Sequence, residues 1–265
     1  MKGGLVWGAA VFLALVVLMA IFGPHFRHSY EAPIAKPFLP PSGSYWLGTD
    51  EQGRDIFARL AYGARMSLLV GISVQVIVLV VGVFVGVVGV FGPKGIAGPV
   101  MRLTDAMFAF PDILLAILII GVFPLGLMPV IIALAVTAWP AVARLVRTQV
   151  ASLKDREFFI ASRALGASTT YLVFKHVLPH LWGIILAVSM VDVAGTILAE
   201  SSLSFLGIGI QPPEPSWGNM INQARYQMES HPIVLLWPCL ILSLTVFALN
   251  FLGDGLRAMA DPRSR

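Results

Sequence analysis

Charge is scarce in this chain. Asp, Glu, Lys and Arg supply 12% of its 265 residues, about half the roughly 25% of an ordinary soluble domain. Hydrophobic residues reach 57% and mean hydropathy is +0.85, so the chain reads as a polytopic membrane protein and not as one large soluble core. Cysteine is nearly missing as well. Cys239 stands alone inside an apolar run, which excludes an intrachain disulfide and a cysteine-built metal cluster and leaves a small packing side chain. No G-x-x-x-x-G-K-[ST] phosphate loop occurs, so nucleotide hydrolysis of that type would need another chain. A low-complexity tract, a visible internal repeat and a second soluble domain are missing too. The net charge of +4 does not signal nucleic acid, because the basic residues sit between apolar runs, as membrane topology requires.

What is present is a series of apolar runs. They predict an all-α fold with six transmembrane helices in one domain, residues 1–265, with spans at 5–23, 66–91, 100–123, 129–146, 179–198 and 232–252. A cleaved signal peptide is the rival for the first run, but the run is long for one and no clear small-x-small cleavage site follows. The outer segment 24–65 begins Pro-rich and extended. From Asp50 it predicts a short amphipathic helix with Ile56, Phe57, Leu60 and Ala61 on one side, of a kind that lies in the membrane interface. Gly82-x-x-x-Gly86 has the small-residue spacing of close helix packing, and Pro111 predicts a kink in the third span. A polar loop covers 147–178 and a second polar segment covers 199–231. Six crossings put both termini on one side. If that side is the cytoplasm, twelve of the 18 Lys and Arg fall inside and six, among them Arg27, Arg54 and Arg59, fall outside. The positive-inside rule therefore predicts cytoplasmic termini and a cytoplasmic 147–178 loop.

Asp192 is the ionisable residue placed deepest in a span. Such a carboxylate reads as part of a pathway or as a hydrogen-bond partner for a neighbouring helix, and the sequence leaves both open. Glu200, with Ser201 beside it, falls at the outer end of the same helix, where it lines an outer mouth or faces water, water being favoured. Asp105 and Asp254 near inner helix ends read as structural. Trp46, Tyr45, Trp217 and Tyr226 read as interface anchors. His25 and His28 lack a third metal ligand. Asp192 with Asp254, or Ser202 or Ser204 with His231, suggests an intramembrane protease, but neither set sits in a protease-like motif.

The stretch 155–180, DREFFIASRALGASTTYLVFKHVLPH, stands out in a chain of lipid-soluble helices. It predicts a short helix up to Leu165, ended by Gly166 in the left-handed backbone region. Ser168 would cap a second helix, and Pro179 would start the following membrane helix. Ile160, Ala161, Ala164 and Leu165 share one face of the first helix. That apolar knob on a basic loop is unneeded by the rest of the chain and reads as a surface for another protein.

Ala161, Gly166 and Leu178-Pro179 at this spacing resemble the cytoplasmic loop motif of ABC importer permeases, written EAA---G---------I-LP. The motif's Glu falls on Ile160, its second Ala on Ser162 and its Ile on His176, so a role for that Glu does not carry over. Residues 46–68, 198–220 and 250–263 resemble the C-type permease subunit of the peptide/nickel branch, so the likeness covers most of the chain from Trp46 onward. The resemblance implies a multi-pass subunit of the cytoplasmic membrane that translocates di- or oligopeptides by alternating access. It implies a homologous B-type permease, two cytoplasmic ATPases that bind the ATP and Mg, and an extracytoplasmic binding protein, with the lipid bilayer as surroundings. The chain itself would hold no cofactor or metal and would be no enzyme. Glu157, Ile160, Ala161, Ala164, Leu165, Gly166, Leu178 and Pro179 would couple to the ATPases, and Asp192, Glu200 and Ser201 would be the pathway or gate candidates. Segment 207–217 would lie near the outer gate. A nickel-chelate or glutathione importer of the same family is the alternative. A self-sufficient secondary transporter is a further one, opposed by the missing inverted repeat and the single deep carboxylate.

Overall fold

The computed structural model describes residues 2–25 and 28–260. Arg27, Arg263 and Arg265 of the charge count, and the last residues of the 250–263 stretch, lie outside the described residues. Among the described residues ten α-helices follow in order: α1 (Lys2–Phe22), α2 (Ile56–Phe91), α3 (Lys94–Met107), α4 (Asp112–Ile120), α5 (Leu127–Leu153), α6 (Glu157–Ala164), α7 (Thr169–Leu172), α8 (Leu178–Phe205), α9 (Trp217–Ala224) and α10 (Pro232–Ala260). Among the described residues the only β pairing is an isolated bridge between Thr49 and Asp55. Five helices are long and apolar enough to cross a membrane, counting Thr169–Phe205 as one; α3 with α4 makes a sixth crossing if that bent pair is one span.

The second crossing differs from the sequence expectation. No separate interfacial helix precedes it; α2 runs unbroken for 36 residues from Ile56. Asp55 starts it, its Oδ1 accepting the N–H of Phe57 at 2.9 Å, as an N-cap does. Ile56, Leu60 and Ala61 are buried in protein, not in lipid. The arginines at this start are drawn into the protein. Arg54 Nε donates to Asp50 at 2.7 Å, Arg59 lies 3.4 Å from the same carboxylate, and both guanidiniums donate to Gln223 Oε1 at 3.2 and 3.0 Å. The outer segment is thereby fastened to α9. Trp217 is likewise no interface anchor: it is fully buried, and its Nε1 donates to the Leu60 carbonyl at 3.2 Å.

The third crossing is broken, not kinked. Between α3 and α4 the chain turns through 95° at Phe108–Pro111, where proline has no N–H to continue the helix ladder. Farther on, α7 leads into α8 through a wide π-helical turn, Val173–Val177. The turn lies just before Pro179, whose ring cannot sit against a regular i−4 carbonyl. Phe91 stacks on Phe159 at 5.8 Å, so α2 ends beside α6. A Cβ on Gly255 would touch Val6, so α1 begins where α10 ends.

The Gly82-x-x-x-Gly86 pair lies against α5. A Cβ on Gly82 would fall 2.7 Å from Val142 Cγ1, and one on Gly86 2.7 Å from Val146 Cβ and 2.8 Å from the Ala143 carbonyl. Gly86→Val is expected to destabilise the bundle by roughly 1–3 kcal/mol through overpacking. Gly98→Ala, where the added carbon meets nothing within 4 Å, is expected to be neutral. Thermal denaturation of the purified protein in detergent separates them, and equal midpoints would show that α2 and α5 do not depend on this contact.

Candidate functional site

Three places concentrate chemistry: an exposed helix at one end of the bundle, a cleft halfway along it and a buried carboxylate at the other end.

The exposed helix is α6. Phe159 anchors it, being 1% exposed and stacked on Phe91. Ile160 is 56% and Leu165 89% exposed, and Glu157, Ala161 and Ala164 face outward as well. The predicted termination is present in full. Gly166 has φ +87°, its N–H donates to the Arg163 carbonyl at 3.0 Å, and the Ala167 N–H donates to the Ser162 carbonyl at 3.1 Å. These two bonds form a Schellman turn. Ser168 Oγ then accepts the Tyr171 N–H at 3.2 Å and caps α7. Leu178 is half-buried and Pro179 exposed, in the first turn of α8. Two residues that depart from the family motif meet: Ser162 Oγ lies 3.5 Å from His176 Nε2. An open groove of about 490 Å³ runs beside α6, edged by Lys154, Asp155, Phe159, Ile160, Arg163 and Ala164.

The cleft, about 440 Å³, exists because the third crossing is bent. Met107, Phe108 and Asp112 from the break form one side, Thr137 of α5 another, and Asp192 and Thr196 of α8 the third. Asp192 lines the cleft, and Gln75 of α2 stands beside it. Gln75 is itself fixed by donating Nε2–H to Ser189 Oγ at 3.1 Å. Asp112 was not among the sequence candidates. It occupies the first turn of α4, where a carboxylate favours the helix dipole, and the Pro111-Asp112 pair was its signal. On the α3 side of the break, Asp105 pairs with Arg144 at 2.8 Å, and that guanidinium lies 3.9 Å above the Phe108 ring.

Glu200 and Ser201 do not join Asp192. The expectation that Glu200 faces water or a mouth fails: it is 0% exposed, and Ser201 is 4% exposed. Glu200 turns away from the cleft toward α2 and the loop before α9. There it accepts hydrogen bonds from Ser204 at 2.7 Å, Ser67 at 3.4 Å and Ser201 at 3.4 Å. Serines matching a carboxylate are what allow it to sit inside protein.

Comparison with known proteins places the chain. Residues 78–265 match the family described as binding-protein-dependent transport system inner membrane component. The chain is 39% identical over 257 residues to the oligopeptide transport system permease protein OppC of Bacillus subtilis, covering 96% of this chain and 84% of that one. It is 40% identical over 269 residues to the dipeptide transport system permease protein DppC of the same organism, covering 100% and 83%. Among solved structures, the MetNI methionine ABC transporter in an inward-facing conformation superposes with a TM-score of 0.64 at 21% identity, over 77% of this chain and 96% of that one, a likeness of fold. The chain belongs to the family of inner-membrane components of binding-protein-dependent transport systems.

Proposed function

We propose that this chain is one permease subunit of an ATP-driven importer of di- and oligopeptides in the cytoplasmic membrane. The observation that carries the proposal is α6, a helix with exposed apolar residues and a locked C-terminal turn at one end of a transmembrane bundle. Left alone in water, Ile160 and Leu165 gain nothing; in the groove of a soluble partner they would be buried. The peptide cargo is carried over from the relatives, which are about 40% identical over nearly the whole chain.

In this reading two cytoplasmic ATPases bind ATP and Mg and grip α6 through Ile160, Ala161, Ala164 and Leu165. Glu157 lies in the first turn of that grip, and Gly166 fixes the turn toward Leu178 and Pro179. A homologous permease faces the Asp192 cleft and completes the pathway, and an extracytoplasmic binding protein delivers the peptide. Basic residues cluster at the α6 end, Lys154, Arg156, Arg163 and Lys175 among them, which favours that end, and both termini, in the cytoplasm. Closure of the ATPases on ATP shifts α6, the α7–α8 helix moves with it, and the cleft changes the side to which it opens. Alternating access of this kind needs only a few kcal/mol of differential contact between states.

Gly166→Val forces a β-branched residue into the left-handed region and costs on the order of 1 kcal/mol or more locally. It is expected to leave membrane insertion intact while peptide-stimulated ATP hydrolysis of the reconstituted complex falls. Ala161→Glu is expected to do the same by placing a charge in the grip. Full stimulation and full transport in both variants would remove α6 as the coupling element. Asp192→Asn keeps the size of the side chain and its contact with Gln75. It is expected to lower peptide uptake into proteoliposomes with assembly unchanged; normal uptake would make Asp192 a packing residue only. The purified subunit by itself is expected to show no ATP hydrolysis, and measurable activity would contradict the division of labour.

A further inference from the structure

Glu200 is a buried ionisable group that the cleft does not use. Its surroundings are built around it. Ser67 comes from α2 and Ser201 and Ser204 from α8, and all three donate to its carboxylate; Ser216, from the segment that starts α9, lies beside them. A carboxylate is an acceptor with about four lone-pair positions, and three hydroxyls donate to it. Among the described residues no Lys, Arg or His pairs with it.

The same knot holds the outer loop and α9 against the end of α8. The Ile210 N–H donates to Ser204 Oγ at 3.1 Å, and the Ser204 hydroxyl donates onward to Glu200 at 2.7 Å. Ser216 and Asn219 form a capping box that begins α9. Asn219 Nδ2 reaches back to the carbonyls of Ile210 and Glu214 at 3.3 and 2.8 Å. Backbones touch as well. A Cβ on Gly218 would fall 2.6 Å from Ser201 Cα, and one on Gly209 2.6 Å from Ser204 Cα. The helical rod that carries Glu200 is continuous from Thr169 to Phe205, and its 37 residues span about 55 Å. Its inner end follows directly on the Ser168 cap beside Gly166.

We infer that Glu200 is a positioning residue that fastens the outer cap, residues 206–224, to this rod, so that the cap moves with the outer end of the rod when a displacement is imposed on the inner loop. The inference rests on the importer reading above, in which α6 is moved by ATPases and a loaded binding protein meets the outer face. An apolar core would hold the helices together at least as well as a buried carboxylate. Converging hydroxyls add a fixed orientation of the cap, which nonpolar packing does not specify.

The test uses the whole complex in proteoliposomes, with hydrolysis measured as the binding protein loaded with trialanine is titrated. Glu200→Met keeps the volume and removes every acceptor; Glu200→Gln keeps an acceptor oxygen. With E200M, assembly and basal hydrolysis are expected to be unchanged and the binding-protein concentration for half-maximal stimulation to rise about tenfold, the scale of losing buried hydrogen bonds. E200Q is expected to stay near wild type. If E200M does not assemble, S204A, which removes only the relay to Ile210, is read by the same criterion. A half-maximal concentration equal to wild type overturns the inference. So does a lower yield or plateau at an unchanged half-maximal concentration, which marks a merely structural residue. A wild-type complex that ignores the loaded binding protein removes the importer reading and this inference with it, whereas a responsive wild type matched by E200M removes this inference alone.

Discussion

The architecture depends on one constraint: inside hydrocarbon there is no water to satisfy a polar group, so each one must be matched within the protein. Charge is accordingly sent to the ends of the bundle, and the buried exceptions gather polar neighbours. Arg54 and Arg59 enter the protein interior because Asp50 and Gln223 meet them. Asp192 sits halfway along α8 with Gln75 beside it. Glu200 disappears from solvent because serines from neighbouring segments point at it. These three clusters also join elements far apart in sequence, so satisfying the polar groups and positioning the helices are one task.

Local rules explain what was legible beforehand. Gly166, Ser168 and the exposed face of α6 were readable because a positive φ, a hydroxyl cap and a four-residue spacing each need only neighbours in sequence. The Gly82–Gly86 contact was readable for the same reason. The start of α2 was not, since Arg54 and Arg59 look like solvent-facing residues until the partners that bury them, Asp50 and the distant Gln223, are in place. Trp217 failed in the opposite way: an aromatic near an apolar boundary reads as an anchor, and only the fold shows it buried against Leu60. The α9 start carried a signal, Ser216 followed three residues later by Asn219, which is a capping-box spacing. The Glu200 site was half-legible in the run of serines around it, but Ser67 reaches it only through tertiary packing.

The departures from the loop motif have a physical logic of their own. Ser162 and His176 replace an alanine and an isoleucine, and they approach one another to 3.5 Å. The His176 ring also lies 5.6 Å from Phe158, so the contact between α6 and the following turn is a mixed polar and aromatic one. Phe159 supplies a second attachment, to the end of α2. A force on α6 is therefore shared between α2 and the α7–α8 rod. The backbone irregularities available to absorb movement are the π turn at Val173–Val177 and the broken crossing around Pro111. The first lies where α6 meets the rod, and the second forms a wall of the Asp192 cleft. The outer end of the rod has no such irregularity, being tied by Glu200. In the importer proposed above, bending at the inner end and at the cleft, with the outer end held firm, would be the distribution of stiffness under which a small displacement of α6 reshapes the Asp192 cleft.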